Sequence, residues 1–404
     1  MRILPLLGSV CFVSGIALFA APVSFHKDVE PILQKQCQVC HRPGEVAPMS
    51  LLTYRDARPW AKAIRDAVVS KKMPPWPIDP NFGKFSNDRR LSQAEINTLV
   101  AWAEQGAPEG NAKDAPPPRE FFEGWSIGKP DAIVELSQEF HIPASGDVPY
   151  QYIVVPTGFT KDTWVSAVEI RPGNRAALHH AIAFVREPGS LKGTKVGEFL
   201  DPYLMAKLLA PRKDPPPDQF ADAVDGDAVG FYVPGMPPAI LKPGQARLIK
   251  AGSALMFQLH YTTNGKPGTD RTRIGFKIAT EPPTEWIRTV NVQNFAFSIP
   301  PREPNYPIVA RARLSRDMRL VSFIPHMHLR GKDFEYRAIY PTGETETLLK
   351  LPRWDFNWQL VYYLEKPKVL PKGTIIEVVG HFDNSINNPN NPDPNALVVY
   401  GEQT

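Results

Sequence analysis

The chain has 404 residues, 46 basic and 42 acidic, for a formal net charge of +4; 43% of its residues are hydrophobic and 22% charged. This balance excludes wholesale disorder. The interspersed signs exclude nucleic acid as a partner, since only Arg311, Arg313, Arg316 and Arg319 group together and no aromatic interleaves them. Forty-four prolines argue against a mostly helical protein, and three cysteines confined to the first 40 residues exclude a disulfide scaffold.

Residues 1–21 read as an export signal: Arg2 opens it, residues 3–21 are almost wholly apolar, and Ala20-Ala21 offers a cleavage point. Leu18 and Phe19 sit where a small residue is preferred and the run nearly reaches spanning length, so an uncleaved membrane anchor is the alternative. In either case the bulk of the chain is expected outside the cytoplasm, periplasmic or secreted.

Residues 22–115 carry helical patterns. Trp60, Ile64, Ala67 and Val68 share one helix face. Ser92-Gln93-Ala94-Glu95 forms a capping box ahead of the apolar face Ile96, Leu99, Val100 and Ala103, and Gly106 suits the C-terminal cap. Before these helices stands Cys37-Gln38-Val39-Cys40-His41. Two thiols at this spacing can add to the vinyl groups of a haem and leave the next histidine under the iron, so CxxCH in an exported protein reads as covalent haem c attachment. A redox dithiol or half a zinc site is the alternative, but a second cysteine pair and a thioredoxin-like context are both missing. A thioether would complete an electron-transfer haem; Met73, in Lys72-Met73-Pro74-Pro75-Trp76, has the reach that Met49 lacks. His26 reads as a helix-terminus residue. This stretch resembles a small cytochrome c domain, closed by a linker at 116–127 that follows a Pro-, Ala- and Gly-rich run.

From residue 128 the pattern turns to period two and short apolar runs, predicting strands at 132–136, 152–155, 163–170, 178–185, 254–261, 274–278, 320–325, 334–340 and 375–379. The clearest alternation is Trp354, Phe356, Trp358 and Leu360, which predicts a further strand. Two antiparallel, jelly-roll-like β-sandwiches are expected, at 128–283 and 284–404, with Glu281-Pro282-Pro283-Thr284 as hinge. Residues 187–245 are Pro-rich and poorly patterned, and read as a long loop or lid.

The histidines carry the chemistry. His326-Met327-His328 on a strand puts two imidazoles on one face, a ready metal-binding pair. His179-His180 is harder, because adjacent strand residues point to opposite faces; both can reach one metal only if the strand bends or ends there. His260 sits on an apolar strand, where a lone histidine is more often a core residue. His381 reads as a structural hydrogen-bonding residue or a spare ligand. The turn-rich run Asn387-Asn388-Pro389-Asn390-Asn391-Pro392-Asp393-Pro394 is explained by loop chemistry, with calcium binding as the alternative.

Taken in order, His179-His180, His260 and His326-x-His328, followed by Leu329-Arg330-Gly331-Lys332, resemble the copper type II, ascorbate-dependent monooxygenases, whose familiar members hydroxylate peptidylglycine and dopamine. The resemblance covers residues 128–404. It implies an electron-transfer copper at His179, His180 and His260, and a second, oxygen-activating copper at the catalytic pair His326 and His328. A Met thioether completes that second site in the family, usually in a Thr-acidic-Met setting; the sequence given stops at Gly401-Glu402-Gln403-Thr404, short of such a residue. Residues 42–404 contain no Cys, so the disulfides of animal members are excluded. The expectation is a two-copper hydroxylase acting on a small organic substrate with O2, with electrons from an ascorbate-like reductant or redox protein arriving through the fused haem. The other expectation is a haem and copper electron-transfer or copper-binding protein without hydroxylation.

Overall fold

In the computed structural model, residues 22–121, 124–190, 194–201, 221–222, 225–226, 228–401 and 404 are described. The export segment and much of the predicted lid lie outside them. Among the described residues no helix is long and apolar enough to cross a membrane. Among the described residues the regular structure is mostly β-strand, in several sheets whose pairings are nearly all antiparallel, and every helix lies before residue 115.

The helices are short: Glu30–Gln36, Tyr54–Ala57, Ala61–Val69 and Gln93–Glu104. The capping box at Ser92 forms as expected, with Glu95 Oε2 accepting from the Ser92 amide at 2.7 Å, and Gly106 takes positive φ just past the helix end. Phe25, Val29, Leu33, Leu99 and Trp102 bury the helical faces against one another. Trp60 does not join them. It is 41% exposed, because its turn is a 3-10 segment that rotates the ring off the face shared by Ile64 and Val68. An all-α cytochrome unit is not evident as such, since the segment after Met73 leaves the helices. It crosses to the second half of the protein, where Trp76, Ile78 and Phe85 are buried among Phe323, Leu349, Tyr362 and Val378. Asn87 ties it down, donating to the Val361 carbonyl at 2.7 Å and accepting from the Tyr363 amide at 3.0 Å.

The first β region stacks a six-stranded sheet, centred on Thr163–Arg171, on a five-stranded one. The second sheet runs Phe199–Leu200, Gln151–Pro156, Ala254–Tyr261, Leu178–Arg186, Ala228–Tyr232. Val165, Ile170, Ile274 and Phe276 from one sheet meet Ile153, Ala183, Leu255 and Phe257 from the other, which is sandwich packing. The 187–245 segment is more than a loop: Ala228–Tyr232 adds an edge strand to the five-stranded sheet. After Pro282-Pro283, Glu285–Trp286 still pairs with 245–246. The second region centres on Gly331–Ile339, Ile375–Phe382 and Tyr306–Arg313, packed over Met318–Phe323 and Tyr362–Leu370.

The expected strand at 354–360 is absent. Asp355 Oδ1 accepts from the Asn357 amide at 3.0 Å, and its carbonyl accepts from Trp358 at 3.0 Å, so the run is a turn-built loop. The Asp and Asn that alternate with the aromatics satisfy the backbone locally and outcompete a ladder.

Candidate metal centre

The five-stranded sheet has two faces. Leu255, Phe257, Leu259 and Tyr261 point into the sandwich core, whereas Met256, Gln258 and His260 point the other way, the side on which Tyr152, Val154 and Met256 pack together. His180 is the cross-strand partner of His260 and shares that outer face. His179 ought to point inward. The ladder slips here, because Tyr261 pairs with Leu178 and two residues oppose one, a β-bulge that leaves His179 unpaired. The bulge turns its imidazole to the same side as its neighbour's, which resolves the geometric difficulty of an adjacent pair. Asp270 anchors the approach to this strand, accepting from the Asn174 amide at 2.7 Å and from the Tyr261 hydroxyl at 2.9 Å.

The three imidazoles present Nδ1 to one point. His179 Nδ1 lies 3.1 Å from His180 Nδ1 and 3.2 Å from His260 Nδ1, and the three residues form a group able to hold a metal ion. Two nitrogens sharing a metal at about 2.0 Å in tetrahedral geometry stand about 3.3 Å apart, so the spacing fits a bound ion. His180 is 2% exposed, and burial holds its pKa well below the usual value. Burial also lowers His179 to about 4 and His260 to about 3. The cluster is therefore neutral, the protonation state in which imidazole binds a metal.

His326 and His328 lie in an extended segment just past Met318–Phe323 rather than on the strand expected there. The alternation still holds: Met327 is buried while the flanking imidazoles share a side, Nε2 to Nε2 at 3.0 Å. Their other nitrogens are held, His326 Nδ1 by Gln359 Oε1 at 2.5 Å and His328 Nδ1 by the Gly401 carbonyl at 2.6 Å. An acceptor at Nδ1 keeps the proton there and leaves both Nε2 atoms free to ligate. Burial lowers His328 to about 3 and lowers His326 as well, with the Gln359 hydrogen bond opposing, while the outer edge of the His326 side chain gives the pair its contact with solvent.

The two donor sets face each other, with the His180 and His326 rings 6.1 Å apart. Tyr150, 3% exposed, stands 4.6 Å from the His260 ring and 5.9 Å from the His328 ring. Phe356 stacks on His179 at 5.1 Å. Tyr150, Phe356 and Gln359 were not singled out by sequence reasoning. For Phe356 and Gln359 the signal was the 354–360 alternation itself, read as a strand. Gly331 is required nearby, because a Cβ there would lie 2.5 Å from the Trp354 ring at the base of that loop.

Elsewhere, Cys37, Cys40 and His41 occupy a turn directly after Glu30–Gln36, with the Cys40 and His41 amides donating to the Cys37 carbonyl. Both thiols are unpaired. Burial pushes Cys37 up to about 12 and raises Cys40, with Arg89 opposing, so they are protonated thiols rather than thiolate ligands at neutral pH. His41 Nδ1 is buried without a hydrogen-bond partner. Met49 packs with Cys37 against the helical core; Met73, half-buried, ends the Ala61–Val69 helix turn and is not among that core's residues. His26 bonds Glu30 at 2.8 Å and His381 bonds Asp333 at 2.6 Å, both structural pairings. The Asn-rich loop is held by its own side chains, Asn391 donating to the Ser385 carbonyl and Asn388 to the Asp383 carbonyl.

The neutral cluster makes a pH prediction. Its folded pKa values lie below the unfolded 6.5, so without metal its contribution to stability is full above 6.5 and is lost as pH falls toward about 3. The urea midpoint of metal-free protein should fall across that window. A His179→Gln, His260→Gln chain, measured alongside, should fall less. Equal declines would mean the histidines do not govern it.

Comparison with protein-family models and with curated proteins returned no match.

Proposed function

We propose that the chain is an exported, copper-dependent monooxygenase that hydroxylates a C–H bond of a small organic substrate, with electrons supplied through a fused c-type haem. The observation that carries this reading is the convergence of five histidines from the two β regions into two facing donor sets, one built around the buried His180 and one with His326 exposed. In it, residues 22–115 are the haem domain, and 128–283 and 284–404 are the two copper domains. Copper, when bound, supplies one-electron redox chemistry and the activation of O2; imidazole donors suit both of its redox states.

The division of labour follows from burial. His179, His180 and His260 would hold an ion around the buried His180, with the bulge bringing His179 to it, the property needed of a site that only passes electrons. His326 and His328 would hold the second ion where O2 and substrate can reach it, with ring orientations set by Gln359 and Gly401. Tyr150 stands between the sets, against the His260 and His328 rings, and Phe356 packs on His179 and His260. The pair needs a further donor, which the family resemblance assigns to a Met thioether; Gly401 lies at His328 and Thr404 at the Arg330 amide. Two protonated thiols and an imidazole in one turn suit thioether attachment of haem at Cys37 and Cys40, where His41 and Met73 would serve as its ligands. The presence of only one three-histidine group among the described residues supports the second reading, a haem and copper relay without hydroxylation.

The test is metal analysis together with O2 uptake on reduced protein carrying haem. The hydroxylase requires two coppers per chain and hydroxylated product formed in step with O2 consumed. One copper and no coupled uptake would establish the relay instead.

A further inference from the structure

The CxxCH turn lies against the sandwich that carries the histidine triad. Gly235 takes φ +75°, and a Cβ built on it would collide with Cys40 Sγ, so the sulfur rests on bare backbone. The Gly235 carbonyl accepts from the Arg89 guanidinium, whose strap leads back to the helices. A second tether lies beside it: Glu45, four residues past His41, pairs with both Arg42 and Arg175. Arg175 precedes His179 by four residues. Gly235 itself follows the edge strand Ala228–Tyr232 by three residues, and the last residue of that strand, Tyr232, is the cross-strand partner of Ala181, next to His180. The half-buried Tyr232 phenol lies within the electrostatic reach of Arg175, Glu45 and Cys40. The contact thus joins the haem-attachment turn to the triad by three residues of backbone, one strand pairing and the single step from Ala181 to His180.

We propose that the Cys40–Gly235 contact is the port through which electrons enter the triad, with Gly235 and Arg89 as positioning residues and the Glu45–Arg175 pair as the latch. This rests on the haem and copper reading above. The step balances as one electron: haem iron passes from Fe(II) to Fe(III) as copper at the triad passes from Cu(II) to Cu(I), with no bond or proton changing place. A glycine is required because a thioether at Cys40 belongs to the haem's edge, and any side chain at 235 would hold that edge off the strand.

The experiment uses the full chain with haem attached and Cu(II) in the triad, under anaerobic conditions. The haem is reduced by a light-triggered pulse of small reductant, and its reoxidation is followed by absorbance while Cu(II) is followed by electron paramagnetic resonance. In Gly235→Ala, reoxidation should slow several-fold, because the added Cβ forces the Cys40 sulfur off the strand and lengthens the path. The haem potential and the copper spectrum should not change. Glu45→Gln with Arg175→Gln should slow it too, which keeps the test alive where Gly235→Ala misfolds. Gly343→Ala, at an open turn with φ +87°, should transfer at the wild-type rate and controls for glycine strain alone. Wild-type rates in both port variants, with both cofactors in place, overturn the port and leave the functional reading standing. A chain that attaches no haem, or takes no copper at the triad, overturns the reading itself and the port with it.

Discussion

Replacing His326 or His328 with alanine is expected to remove the second copper and all turnover while leaving the haem spectrum and the triad's copper as in wild type. Either change leaves a single imidazole where two Nε2 atoms meet at 3.0 Å, and a lone donor in an open site does not retain copper against solvent. His180→Ala should do the converse. It removes the most deeply buried donor of the triad, so one copper is lost, the second remains, and electrons no longer pass from haem. Gln359→Ala tests the supporting layer: freeing His326 to rotate should weaken copper binding roughly 10- to 100-fold, the usual cost of losing a partner of a ligand. Copper per chain by metal analysis, with product measured against O2 consumed, distinguishes these outcomes. Full turnover in both His326→Ala and His328→Ala would remove the assignment of that pair as the oxygen-activating site.

Trp76→Ala is expected to destabilise the second sandwich by about 3–5 kcal/mol, the range for removing a large aromatic from a core. Trp76 meets Tyr362 edge-on at 5.0 Å and Phe85 at 6.4 Å, and it shares the buried cluster with Phe323 and Leu349. The residues that bury the helices of 22–115 form a separate cluster with no member in common. The loss should therefore appear in the unfolding of the second sandwich, followed by urea titration, and as new proteolysis within residues 77–90, while the helical transition keeps its midpoint. A change below about 1 kcal/mol, or one confined to the helices, would show that the strap merely lies on the surface.

Local rules carried the sequence reading as far as local rules reach. The strand at 254–261 and the capping box at Ser92 depend on side-chain alternation and on one turn of backbone donors, and both stand where they were expected. The 354–360 run failed because Asp355 and Asn357 capture backbone amides, a competition invisible to a count of alternating apolar residues. The strap at 74–90 was missed for a different reason: Trp76 and Phe85 follow neither a helical nor a strand period, and only the surface they fill gives them a role.

The metal centre divides in the same way. By itself, the sequence determined the donor types, the i, i+2 spacing that puts His326 and His328 on one side, and the two thiols with an adjacent imidazole at Cys37 to His41, because each follows from residue chemistry and backbone period. Only the tertiary structure decided that His179 joins His180, since a bulge depends on the register with a strand some 80 residues away in the chain. It also decided that His260 faces out of its sandwich, that Gln359 and Gly401 orient the pair, and that the CxxCH turn rests on the triad's sheet. These are long-range placements, set by which faces must be buried against each other, and a single strand or turn carries no record of its partner.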